Sequence, residues 1–147
     1  MLETWLSASS IALNQRADDY KEAIRIGGNL LVNDGKATPE YASAMIDAVQ
    51  EFGPYIVIAP GIAMPHARPE DGALSVGLSL VTLSAPVCFG NPENDPVRVV
   101  TCLCSTDSNA HLELLQRTVS LLGDTDAMSA ILSANSVEVV MDIIRAF

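Results

Sequence analysis

Positive charge is scarce in this sequence. Eight Lys and Arg residues face 18 Asp and Glu residues across 147 positions, a formal net charge of −10 with histidine neutral. A nucleic-acid binder needs cationic surface to displace counterions, so that class is excluded, and a partner with a basic patch fits better. Aromatic residues make up only 5% of the chain while hydrophobic residues reach 49%. That is the composition of helices packed on a sheet, not of a disordered acidic tail. Cysteine is limited to Cys88, Cys102 and Cys104, an odd set without disulfide or zinc spacing. They read as reduced thiols and point to a cytoplasmic protein. The opening MLETWLSASS has an acid and no basic n-region, so no secretory signal is expected. Long apolar runs are missing too: the uncharged stretch from Gly72 to Pro92 is interrupted by Ser, Gly and Pro86, so no membrane span is expected. Without repeats, low-complexity blocks or flexible linkers, residues 1–147 are expected to form a single domain.

Periodicity gives the elements. Asp18 to Leu31 reads as a helix with Tyr20, Ala23, Ile24, Gly27 and Leu31 on one face, stopped at Asn33-Asp34-Gly35. A second helix is expected from the N-cap Thr38 and Pro39, burying Tyr41, Met45, Ala48, Val49 and Phe52, and ending at Gly53-Pro54. The middle of the chain changes period. Tyr55 to Ala59 is a short β-branched run, and Leu74, Val76, Leu78 and Leu80 alternate with small residues as in a half-buried strand. Val97 to Cys104 is apolar almost throughout, as in a central strand covered on both faces. Helical spacing returns with Leu112, Leu115, Val119 and Leu122, then with Val137, Val140, Met141 and Ile144. The expected fold class is α/β, a mixed sheet flanked by helices.

Most familiar chemistry is absent. There is no G-x-S-x-G, no P-loop and no G-x-G-x-x-G after a strand. Cys102 and Cys104 share one face of an expected strand and read as core, not as nucleophiles. A metal site would need more ligands than two histidines and these cysteines, so none is expected. The two histidines carry what remains. His66 lies in Pro60-Gly61-Ile62-Ala63-Met64-Pro65-His66-Ala67-Arg68-Pro69-Glu70, where three prolines fix an unusual backbone path and delete three amide donors. His111 follows Asp107-Ser108-Asn109, all good N-cap residues, and so falls in the first turn of a helix. Amide donors and the positive end of the helix dipole are available there to a phosphoryl group. Taken singly, each histidine has a plainer reading, a polar residue in a proline-rich connection or a solvated first-turn side chain. Together they suggest that one accepts a phosphoryl group on a ring nitrogen and the other donates a hydrogen bond to its oxygens. A binding module without covalent chemistry is the competing class.

Gly61-Ile62-Ala63-Met64-Pro65-His66 resembles the active-site signature of enzyme IIA domains of the mannitol/fructose class of the bacterial phosphotransferase system. The longer stretch from Gly53-Pro54-Tyr55 to Pro69-Glu70-Asp71-Gly72, with Asn94-Asp95-Pro96-Val97, looks most like the ascorbate-specific branch. The resemblance implies a mixed β-sheet sandwiched between helices and a relay that needs no metal or organic cofactor. In it, the phosphocarrier HPr passes a phosphoryl group to the position of His66. The group then moves to a cysteine of a IIB protein, and a IIC membrane transporter delivers the sugar, expected to be ascorbate. His111 matches the second histidine typical of the class. Ile62, Ala63 and Met64 are expected to supply an apolar docking patch beside the acceptor. The mannitol/fructose branch usually carries an Arg-Glu pair after the Ala-Met of its second helix. Here Ala44-Met45 is followed by Ile46-Asp47-Ala48-Val49, which leaves Arg68 as the candidate charge stabiliser. The alternative within the same fold is a regulatory protein whose phosphorylation state controls a partner.

Overall fold

A computed structural model describes residues 1–147. After two short 3-10 turns the chain forms β1 (Ile11–Gln15), α1 (Tyr20–Asn33), α2 (Pro39–Phe52), β2 (Val57–Ala59) and β3 (Ile62–Ala63). A 3-10 turn at Pro69–Asp71 leads to β4 (Gly77–Leu78), β5 (Leu80–Val87), β6 (Val97–Val100) and β7 (Leu103–Cys104). Three helices close the chain: α3 (Ser108–Leu122), α4 (Thr125–Ser133) and α5 (Val137–Ile144).

Five strands form one mixed sheet in the order β1-β5-β6-β3-β2, and β4 pairs with β7 in a separate antiparallel ribbon. β1 runs parallel to β5 and β3 runs parallel to β6, while β5–β6 and β2–β3 are antiparallel. Alternation divides the sheet between two cores. Val81, Leu83, Val97 and Val100 pack with α1 and α2, whereas Leu80 and Val99 pack with α3, α4, α5 and the N-terminal turns. The expected layered α/β fold is what the chain adopts.

Two glycines set how closely α1 packs. A Cβ at Gly27 would lie 2.6 Å from the Cys102 sulfur, and one at Gly28 would lie 2.8 Å from the Ala42 Cβ. Nothing larger than hydrogen fits against the sheet or against α2 at these positions.

Several expected boundaries move. The first helix begins at Tyr20 because the Asp19 carboxylate accepts from the Glu22 amide at 2.8 Å and fixes the N-cap there. The alternating stretch from Leu74 is not a strand until Gly77, since the Leu74 and Ser75 amides donate to the Lys36 carbonyl and not to a ladder. Leu74 is accordingly exposed. The expected single strand from Val97 to Cys104 is split, its first part in the main sheet and its last two residues in the ribbon. On α2, Ala42 and Ile46 take the core places expected for Ala48 and Phe52; Phe52 is 69% exposed. On α3 the buried residues are Leu114, Thr118 and Leu121, while Leu112 and Val119 face outward.

Candidate functional site

β3 is only two residues long, and the chain leaves it through Met64 and Pro65 to reach His66. The parallel ladder with β6 continues past the strand. Val99, Thr101 and Leu103 donate in turn to the carbonyls of Gly61, Ala63 and Pro65, at 3.1, 2.9 and 3.0 Å. Pro65 brings no N–H of its own, and the loop departs from the sheet there.

The half-buried His66 ring is held from one side. Its Nδ1 lies 2.9 Å from the Met64 carbonyl oxygen. A carbonyl only accepts, so Nδ1 carries the proton, and in the neutral ring Nε2 keeps its lone pair. The Tyr55 ring meets His66 edge-on, with centroids 5.8 Å apart and planes at 85°. Beside them lies a cavity of about 560 Å³ lined by His66, Tyr55, Phe52, Arg68 and the outward face of α2. Asp47 and Glu51, one turn apart on α2, and Asp71 bring three carboxylates to this lining.

Arg68 is the one cation of the cavity, and its charge is already engaged. Its Nη2 donates to Asp71 Oδ1 and its Nε to Asp71 Oδ2, each at 3.3 Å, and its amide donates to Oδ2 at 3.0 Å. Glu70 lies 3.7 Å from Nε. The hydrogen bond from Arg68 holds the Asp71 carboxyl below the usual carboxylate range, and Asp71 raises the guanidinium in return. On balance the cavity is anionic.

His111 stands elsewhere. Asp107 is the N-cap of α3, and its carboxylate accepts from the Asn109 and Ala110 amides at 2.7 and 3.3 Å. The helix start expected to offer free amides has therefore already placed two of them on its own carboxylate. His111 is half-buried one residue further on, its amide bonded to the Asp107 carbonyl at 2.8 Å. It does not line the His66 cavity. Topology still relates the two histidines. β3 and β6 run parallel, and the chain beyond each leaves the same sheet end, one toward His66 and the other through β7 to α3.

The expected apolar patch is displaced. Ala63 and Met64 are buried and Ile62 is half-buried, because all three pack into the sheet and its two cores. Exposed apolar surface at the cavity comes from Phe52 and Tyr55 instead. Sequence reasoning also passed over Asp47 and Glu51; their four-residue spacing beside the misassigned Phe52 was the available signal. The buried thiols are inert, since burial pushes Cys102 up to about 12 and Cys104 up to about 11.

Chemically, the arrangement offers an imidazole whose neutral form has a fixed tautomer and a free nitrogen, beside an open cavity that holds more carboxylates than cations. The profile of the phosphoenolpyruvate-dependent sugar phosphotransferase system, EIIA 2, matches residues 4–146. The ascorbate-specific phosphotransferase-system EIIA component of Escherichia coli is 40% identical over 136 residues, covering 92% of this chain and 88% of that protein. The solution structure of the mannitol-specific cryptic phosphotransferase enzyme IIA from Escherichia coli superposes with a TM-score of 0.90 at 35% identity, covering 99% of each chain. Mannitol enzyme IIA from Escherichia coli, solved in complex with its phosphorylated IIB, gives 0.83 at 27% identity, covering 96% of this chain and 97% of that one.

Proposed function

This chain belongs to the EIIA 2 family of the phosphoenolpyruvate-dependent sugar phosphotransferase system, and on that premise we propose that His66 is its phosphoryl acceptor. As a IIA component it is a phosphotransferase that relays phosphoryl groups in sugar transport. The hydrogen bond from His66 Nδ1 to the Met64 carbonyl carries the assignment, because it leaves Nε2 as the nucleophile.

The Nε2 lone pair attacks the phosphorus of phosphorylated HPr. An N–P bond forms as the donor's N–P bond breaks, and that electron pair returns to the donor histidine. With its Nδ1 proton retained, the ring gains positive charge, which the Met64 carbonyl stabilises. A cysteine sulfur of IIB then attacks the same phosphorus, and the N–P pair returns to Nε2. His111 donates to the phosphoryl oxygens during these steps, and Arg68 contributes the part of its charge that Asp71 and Glu70 leave free. Three carboxylates in the cavity lining favour departure of the dianion over its retention. The relay passes to a IIC transporter, the sugar is ascorbate, and residues 1–147 act in the cytoplasm as one IIA domain. Likeness to the ascorbate-specific relative supports the sugar and favours transport over a purely regulatory role.

Intact mass after incubation with phosphoenolpyruvate, enzyme I and HPr tests this. One acid-labile, base-stable phosphoryl group is expected on the wild type and none on His66→Ala, and adding an ascorbate-type IIB should discharge the adduct. An adduct that survives in His66→Ala, or a wild type left unmodified by active HPr, overturns the proposal.

A further inference from the structure

Tyr41 lies on α2 and is 1% exposed, yet its hydroxyl does not serve the helix. It donates to the Leu103 carbonyl at 2.7 Å and accepts from the Ala67 amide at 3.0 Å. A phenol has a single proton, so the shorter contact takes it, and the Ala67 carbonyl at 3.2 Å is a lesser partner.

The ladder shows what this hydroxyl displaces. Val99, Thr101 and Leu103 donate to Gly61, Ala63 and Pro65, each step advancing two residues on both strands. In a parallel pair the next bond in register runs from the Ala67 N–H to the Leu103 carbonyl. The Tyr41 oxygen stands between those two groups. The peptide groups of Leu103 therefore bracket His66, directly through Pro65 on one side and through the phenol on the other.

We infer that Tyr41 is a positioning residue for His66: inserted in place of one ladder bond, its hydroxyl holds the acceptor loop a hydroxyl's width off the sheet and fixes the ring beside the cavity. This rests, for its effect on transfer, on the assignment of His66 as acceptor. Burial raises the phenol well above its ordinary range, so the hydroxyl keeps its proton and the bridge persists across working pH. Without it, the Ala67 N–H and Leu103 C=O are left either unpaired or free to close on each other, and either change moves the loop.

Tyr41→Phe keeps the ring and removes only the bridge. Phosphoryl transfer from phosphorylated HPr is expected to lose about tenfold to a hundredfold in kcat. KM should stay within about twofold, because the exposed apolar surface of Phe52 and Tyr55 at the cavity is untouched. The 15N resonances of the His66 ring should shift in the unphosphorylated variant. Wild-type kcat, or an unmoved His66 ring signal in the folded variant, overturns the inference. Should the variant fail to fold, amide exchange of the wild-type protein decides: Ala67 is expected to exchange at least about tenfold more slowly than an unstructured amide, and exchange at the unstructured rate overturns the bridge. A wild type that takes no phosphate at His66 defeats the functional assignment instead, while the ring and amide measurements still report on Tyr41.

Discussion

The two faces of the sheet present their histidines in opposite ways. On the side of α1 and α2, the loop after β3 is fixed by a ladder bond at Pro65, by the Tyr41 hydroxyl at Ala67 and by the ring's own bond to Met64. On the side of α3 to α5, His111 rides on a helix whose first turn is satisfied by Asp107, and only its backbone is tied. The difference matches the two roles proposed for them: a nucleophile profits from a fixed tautomer and a fixed lone pair, and a side chain with no bond of its own is free to turn toward a phosphoryl group.

That contrast can be broken most sharply at His111. His111→Ala is expected to leave phosphorylation at His66 intact but to slow transfer about a hundredfold in rapid-quench measurements, the scale of losing one hydrogen-bond donor to the transferring group. An unchanged rate would make the α3 histidine a bystander. Arg68→Ala should cost less, about tenfold, because its charge is divided among Asp71, Glu70 and solvent. Wild-type rates in that variant would remove Arg68 from the site.

Asp107→Ala tests the other side of the contrast. Loss of the cap should cost about 1 kcal/mol in urea unfolding. It should also lengthen the lifetime of the phosphohistidine if the freed amides reach it. The smallest effect concerns the thiols of the α1–α2 core. Only Cys88 should react with an alkylating reagent in the native protein at pH 8, by mass, since Cys102 and Cys104 are buried and protonated. Their folded values of about 12 and about 11 lie above the ordinary 9.0. The stability of the protonated thiols is therefore complete below about pH 9 and is lost as pH rises through the folded values. A melting temperature that declines between about pH 9 and 12 checks the sign.

Much of this was legible in the sequence, and the failures have physical causes. The long amphipathic helices α1 and α2 announced themselves because fourteen residues give several turns of consistent period. β3 was invisible, since two residues between Gly61 and Met64 carry no period at all. β1 and α4 show no clear period either, the first being only five residues with its apolar Ile11-Ala12-Leu13 running into Asn-Gln and the second only nine residues long. The Pro65-His66 pair marked the acceptor loop, and the cap residues before His111 marked a helix start. The cavity was not legible. Phe52 sits at a spacing that reads as core, yet at the last position of α2 it is exposed and lines the cavity beside Asp47 and Glu51. Tyr41 was assigned to the core correctly, but pattern alone cannot show that its hydroxyl reaches the peptide groups of Leu103 in β7 and of Ala67 in the loop after β3.

The central claim is that the Met64 carbonyl selects the nucleophilic nitrogen, and it has a direct measurement. Phosphorylating 15N-histidine-labelled protein through HPr and recording the one-bond 31P–15N coupling identifies the nitrogen that carries phosphorus. The account predicts coupling to Nε2 of His66, with Nδ1 still protonated. Coupling to Nδ1, or to either nitrogen of His111, would contradict it.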